Sequence, residues 1–203
     1  MSVLTRNSLL TPEEFESLPN SRGIELIDGS LQEKGMGTES GSINTRIAHF
    51  LWSVVLPARL GEVIDGNGMY RCFPSHPSRV RKPDVSFIRR DRLPDGRVPR
   101  GITNLRPDLA VEAISPGDYY YEVDEKIADY FDAGIPLIWI VSPQTRTVMV
   151  YRPDGTVQRL RDTDDLTAEP VIVGFRVRVA DLFPNPPESV ADETTSVPQA
   201  PPT

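Results

Sequence analysis

Two carboxylates stand in stretches where a soluble chain rarely leaves them alone. Asp84 lies in Lys82-Pro83-Asp84-Val85-Ser86-Phe87-Ile88, and Glu112 in Pro107-Asp108-Leu109-Ala110-Val111-Glu112-Ala113-Ile114-Ser115-Pro116. Each run is short, apolar, rich in β-branched residues and entered through an X-Pro step, which predicts a buried strand. An acid surrounded by Val, Phe, Ile and Ala is buried only when paired or metal-bound, so each needs a partner. Lys126, in the acidic helical segment that follows, is the candidate. Two acids on neighbouring strands and a lysine are the minimal set for magnesium-dependent hydrolysis of phosphodiesters. The acids offer hard oxygen ligands to a Mg²⁺ that keeps several waters, while the lysine orients or helps deprotonate the attacking water and offsets phosphate charge. A glycosidase would also use two carboxylates. The lysine, and a basic segment nearby, favour phosphate over sugar.

Other chemistries lack parts. The chain has no Gly-x-Ser-x-Gly elbow, no Walker-type phosphate loop, no dinucleotide fingerprint and no clustered Cys or His for zinc. His49 and His76 have no second ligand at metal spacing and read as surface or satisfied histidines. The net charge of −7 opposes generic binding to a polyanion. Its distribution qualifies that, because residues 79–106 hold nine basic against three acidic residues and leave −13 for the rest. On clustering alone, a solvated Arg-rich loop is the favoured reading of that segment.

The elements that must position these groups follow from the pattern. Thr11-Pro12-Glu13-Glu14 starts a short helix with an N-cap, a Pro at the first helical position and acids facing the dipole. Asp28-Gly29 predicts a type I′ hairpin between residues 24–27 and 30–33, and places Glu25 on its first strand, where a solvent-facing role is at least as probable as a site role. Ile43, Ile47, Phe50, Leu51 and Val54 predict the main amphipathic helix, capped by Ser40 or Ser42 and stopped by Gly61. Residues 62–65 and 69–73 read as a strand pair around Gly66-Asn67-Gly68, and residues 91–106 as a long basic connection. A second helix is predicted from about Tyr121 to Ala133, with Val123, Ile127, Tyr130 and Phe131 buried and Gly134 beyond its end. A meander over 137–141, 147–151 and 156–160 follows, then one or two strands within 171–179. The fold class is mixed α+β with strands dominating. Residues 1–183 read as one domain and the Pro-, Glu-, Ser-, Thr- and Ala-rich residues 184–203 as a disordered tail. With the single Cys72, no apolar signal-like start and no run long enough to cross a bilayer, the chain is expected to be cytoplasmic.

Over residues 9 to 184 the chain resembles the Uma-two family of restriction-endonuclease-like proteins, a branch of the PD-(D/E)XK nuclease superfamily. The matching parts are Thr11-Pro12-Glu13-Glu14-Phe15, Glu25-Leu26-Ile27-Asp28-Gly29, Lys82-Pro83-Asp84-Val85, residues 107–116, Lys126 to Tyr130, Ala133-Gly134-Ile135-Pro136 and Trp139-Ile140-Val141. The resemblance implies a mixed central sheet flanked by helices, with Asp84 and Glu112 as metal-binding acids for Mg²⁺ or Mn²⁺ and Glu25 assisting. The superfamily lysine belongs two residues after Glu112, but Ile114 stands there, and Lys126 is the residue that matches in this family. A His that relatives often carry before the long helix is missing from Glu39-Ser40-Gly41-Ser42.

These readings give a metal-dependent DNA endonuclease as the leading expectation. Alternatives are an inactive nucleic-acid-binding or regulatory module on the same fold, and a carboxylate-pair hydrolase acting on something else. A homodimer is expected because such nucleases often pair on a two-fold axis. The Lys126 ammonium is expected within about 4 Å of Glu112 or Asp84.

Overall fold

The computed structural model describes residues 9–35 and 37–184. The predicted tail, apart from Pro184, lies outside the described residues. The elements run in the order α1 (Pro12–Glu16), β1 (Ile24–Ile27), β2 (Ser30–Glu33), α2 (Thr38–Ala58), β3 (Gly61–Asp65), β4 (Met69–Tyr70), β5 (Val85–Arg89), β6 (Ile102–Thr103), β7 (Leu109–Ala113), α3 (Tyr120–Asp132), β8 (Ile138–Ser142), β9 (Thr147–Tyr151), β10 (Val157–Leu160), β11 (Asp165–Thr167) and β12 (Arg176–Arg178). Short 3₁₀ turns follow β5 and β12. No helix among the described residues is long and apolar enough to cross a membrane.

Six strands form one mixed sheet in the order β10-β9-β8-β7-β5-β3. All its neighbours are antiparallel except β7 and β8, which run parallel and are joined through α3. Both faces are covered, which is why β7 reads as a near-continuous apolar run. Leu109, Val111 and Ala113 pack with Ile43, Ile47, Leu51 and Val55 of α2, while Ala110 packs with Ile127 and Tyr130 of α3. Each fully buried Leu or Ile of the α2 stripe contributes about 1.5–3 kcal/mol of hydrophobic stabilisation. By the two-residue period of a strand, Glu112 shares the face of Ala110 and therefore lies beneath α3.

The hairpin β1–β2 is a separate two-stranded sheet. Asp28 and Gly29 both have positive φ, 49° and 87°, as a type I′ turn requires. It joins the body through paired backbone hydrogen bonds between Leu26 and Val80, of 3.0 and 2.8 Å.

Four predicted details are corrected. Residues 62–65 and 69–73 do not pair with each other: β3 is an edge of the main sheet against β5, and β4 pairs in parallel with β6. Gly61 belongs to β3, where a Cβ would meet the Ile88 carbonyl oxygen at 2.0 Å, so it serves close strand approach and not helix termination. The long helix α2 begins after Gly37, which makes no side-chain cap, and ends at Arg59 in the left-handed region; Ser40 instead donates to the Gly37 carbonyl. The last strand pairs with residues 165–167, a partner the periodicity did not mark, whereas residues 171–173 lie in turns.

Candidate active site

Asp84 immediately precedes β5, and its backbone N–H donates to Val111 of β7 at 3.0 Å, so the two acid-bearing segments are neighbours. Its carboxylate reaches across to accept from the Ala113 N–H at 2.9 Å. Glu112 is 4% exposed and projects from the middle of β7 under α3. There Lys126, on the first half of α3, donates to Glu112 Oε2 at 3.0 Å. The hydroxyl of Tyr130, one helical turn further, donates to Glu112 Oε1. The residues at i and i+4 thus grip both oxygens of one carboxylate.

A second lysine completes the cluster. Lys34, one residue past β2, places its Nζ 2.8 Å from Asp84 Oδ1 and 3.6 Å from Glu112 Oε2, and it also donates to the Lys82 carbonyl. Its side chain is only 9% exposed. No sequence pattern distinguished Lys34 from any other charged residue at a strand end; only the folding of the hairpin against residues 80–84 brings it to the acids.

The electrostatics are asymmetric. Burial alone would push Glu112 up, but Lys126, Lys34 and the Tyr130 hydroxyl outweigh it and bring the carboxyl down to about 2. Asp84 is held above the usual carboxylate range, by burial and by the negative charge of Glu112, against the pull of Lys34. Burial would strip the protons from Lys34 and Lys126, yet the carboxylates more than compensate and hold both ammonium groups above the ordinary lysine range. Tyr130 is likewise held well above the phenol range, first by burial and then by Glu112. Two lysines and a tyrosine therefore remain donors at neutral pH, and the acids differ in basicity.

Glu25 is placed outside this cluster. It is 1% exposed, so the solvent-facing reading is corrected: both carboxylate oxygens are taken, one by the Lys82 N–H at 2.7 Å and one by Arg81 at 3.0 Å. Arg81 also pairs with Asp129 of α3 at 2.7 Å, Asp129 with Arg79 at 2.6 Å, and Arg79 with Asp28 at 2.6 Å. This chain of ion pairs ties the hairpin, the segment before Asp84 and α3 together, and these three elements carry Lys34, Asp84 and Lys126.

The reading of residues 79–106 as a solvated basic loop is corrected by the same contacts. Arg79, Arg81 and Lys82 are buried, and Arg92 pairs with the buried Asp108 at 2.8 Å. Exposed positive charge remains at Arg89, Arg90, Arg97 and Arg100, with Arg89 bonded to Asp91. His49 lies exposed on α2, and His76 faces Asp28 at 3.3 Å.

Asp84 and Lys34 open onto a cleft of about 600 Å³ whose far wall is α2. Among the described residues no three His, Cys, Asp or Glu side chains form a ready-made metal cage. Two adjacent carboxylates nonetheless fit an ion that keeps most of its water, such as Mg²⁺.

A sequence model of the Uma2 family, described as "Putative restriction endonuclease", matches residues 12–180. Among solved structures, a putative nuclease belonging to DUF820 from Anabaena variabilis ATCC 29413 superposes with a TM-score of 0.73, covering 86% of this chain and 97% of that one at 24% identity. That likeness is one of fold. No curated protein matches.

Proposed function

Because the chain belongs to the Uma2 family of restriction-endonuclease-like proteins, we propose that it is a metal-dependent endonuclease hydrolysing phosphodiester bonds of DNA. The observation that carries this reading is the meeting of Asp84 and Glu112 with two charged lysines, of which Asp84 and Lys34 line an open cleft. Asp84 and Glu112 would hold Mg²⁺ or Mn²⁺, which supplies Lewis-acid polarisation of a phosphoryl oxygen when bound. Lys126 is fixed by Glu112 with its proton retained, so it acts as a donor: it orients the attacking water and offsets charge on the phosphate. Tyr130 keeps Glu112 in one rotamer. Glu25 acts through Arg81 and the Lys82 N–H, as a positioning residue for the strand that presents Asp84.

One observation favours a second reading. The Lys34 ammonium lies between the two carboxylates, where a cation would sit, and a lysine that never left would make the protein a nucleic-acid-binding module without turnover. Incubation with supercoiled, linear and single-stranded DNA in Mg²⁺ or Mn²⁺, beside Asp84→Ala, separates the two. Cleavage that is lost in the variant and in EDTA supports the nuclease. Cleavage undiminished in Asp84→Ala overturns it, and activity surviving EDTA points to a metal-free carboxylate hydrolase.

A further inference from the structure

The cleft beside Asp84 extends along one face of α2, and what lines it is unlike a phosphate-binding surface. The buried stripe of α2 is Ser40, Ile43, Ile47, Leu51 and Val55. The cleft wall is the adjoining face, with Gly41, Asn44, Ala48 and Trp52 at helical spacing. From Gly41 to Trp52 that wall is about 16 Å long. Its charged lining is balanced, with Arg22 and Lys34 against Asp65 and Asp84. Binding through phosphate neutralisation needs an excess of Lys and Arg, so a ligand in this cleft would be held mainly through its uncharged parts.

Resting on the nuclease reading above, we propose that this cleft seats unpaired bases of the DNA strand flanking the scissile phosphate. Trp52 is their stacking surface, and the substrate is single-stranded or locally unpaired DNA. Trp52 is 53% exposed within the cleft wall, so about half of this large aromatic side chain is open to a ligand. The Asn44 Oδ1 on the same wall has no hydrogen-bond partner among the described residues, and a turn of its side chain toward the cleft would offer it to the exocyclic amino group of a base. The cleft, about 600 Å³, has room for one or two unstacked bases. At Gly41, on the same wall, a Cβ would meet nothing within 4 Å, so a larger side chain can be placed there without disturbing the packing.

The test is binding to the full chain in EDTA, with a 5′-fluorescein-labelled oligodeoxyadenosine 12-mer and a blunt 12-base-pair duplex as probes, read by anisotropy. The unlabelled strand is followed by tryptophan emission. The chain has two tryptophans and Trp139 is fully buried, so quenching reports Trp52. The single strand is expected to quench emission and to bind at least about tenfold tighter than the duplex. Trp52→Ala should weaken it by roughly ten- to a hundredfold, with Trp52→Phe restoring most of the loss. Gly41→Leu, which fills empty space on a helix and so keeps the fold, should weaken it as well. Equal affinity for strand and duplex, or wild-type binding by both Trp52→Ala and Gly41→Leu, overturns the inference. A parallel cleavage assay in Mg²⁺ keeps the two readings apart. Asp84-dependent cutting of duplex, unchanged in these variants, removes the inference and leaves the nuclease. Trp52-dependent strand binding without cleavage in any metal keeps the single-strand seat at Trp52 but removes the nuclease, and with it the scissile phosphate that the bases were to flank.

Discussion

Lys126 and Lys34 make the same kind of contact but differ in what their removal should do to metal binding. Among the acids of the described residues Lys126 bonds only Glu112, from the side of α3, at 3.0 Å. Its replacement by Ala is expected to lower cleavage by about a hundredfold or more, as removal of a transition-state donor does, while calorimetry finds Mn²⁺ binding largely intact. Equal loss of metal binding would contradict a positioning role. Lys34 stands between both acids, so Lys34→Met removes a positive charge from the place where a cation would enter. Metal affinity should then rise by about tenfold or more, equivalent to about 1.4 kcal/mol, with slower cleavage. Unchanged affinity would mean that the lysine and the ion do not compete. Of these groups, Asp84 and Glu112 were legible in the sequence, because an acid inside an apolar strand advertises a missing partner, while Lys126 was singled out by the family resemblance and by Ile114 standing where the superfamily lysine belongs. Lys34 was not, since its position just past a hairpin strand is where charged residues ordinarily meet solvent.

At the scale of elements, periodicity carried far: the hairpin turn, both long helices and the meander are set by local spacing and turn chemistry. Pairings decided by distant residues were invisible. Nothing local says that β3 pairs with β5 and not β4, or that Arg79 and Arg81 are buried, because the acids that neutralise them, Glu25 and Asp129, lie some fifty residues away along the chain. The ion-pair chain they form is buried at Glu25, Arg81 and Asp129. Deleting one member leaves an uncompensated buried charge, so Arg81→Met is expected to destabilise the fold by about 3–5 kcal/mol. Urea denaturation measures this. A loss below about 1 kcal/mol would assign the network no more weight than a surface pair. Asp28 should matter less, being half exposed at the outer end.

For the whole molecule, the acid cluster couples folding to pH in two directions. Glu112 is lowered from 4.5 to about 2, so its contribution is fully present above about 4.5 and is lost as pH falls toward 2. Asp84 is raised, so it binds a proton more readily folded than unfolded and offsets part of the loss. Denaturation of metal-free protein between pH 5 and 2 should therefore show stability falling more steeply in the native chain than in Glu112→Gln. Parallel slopes would place the acid sensitivity elsewhere. The separateness of the β1–β2 hairpin has a consequence of another kind. Lys126 rides on a helix welded into the main sheet, whereas Lys34 rides on a ribbon whose only strand pairing to the body among the described residues is Leu26 with Val80. Cooperative units of this sort open at different free energies. In native-state hydrogen exchange the amides of residues 24–34 should exchange through a sub-global opening that leaves β7 and β8 protected. The two ammonium groups would then belong to different foldons, and the chain could visit a state that has released one while keeping the other.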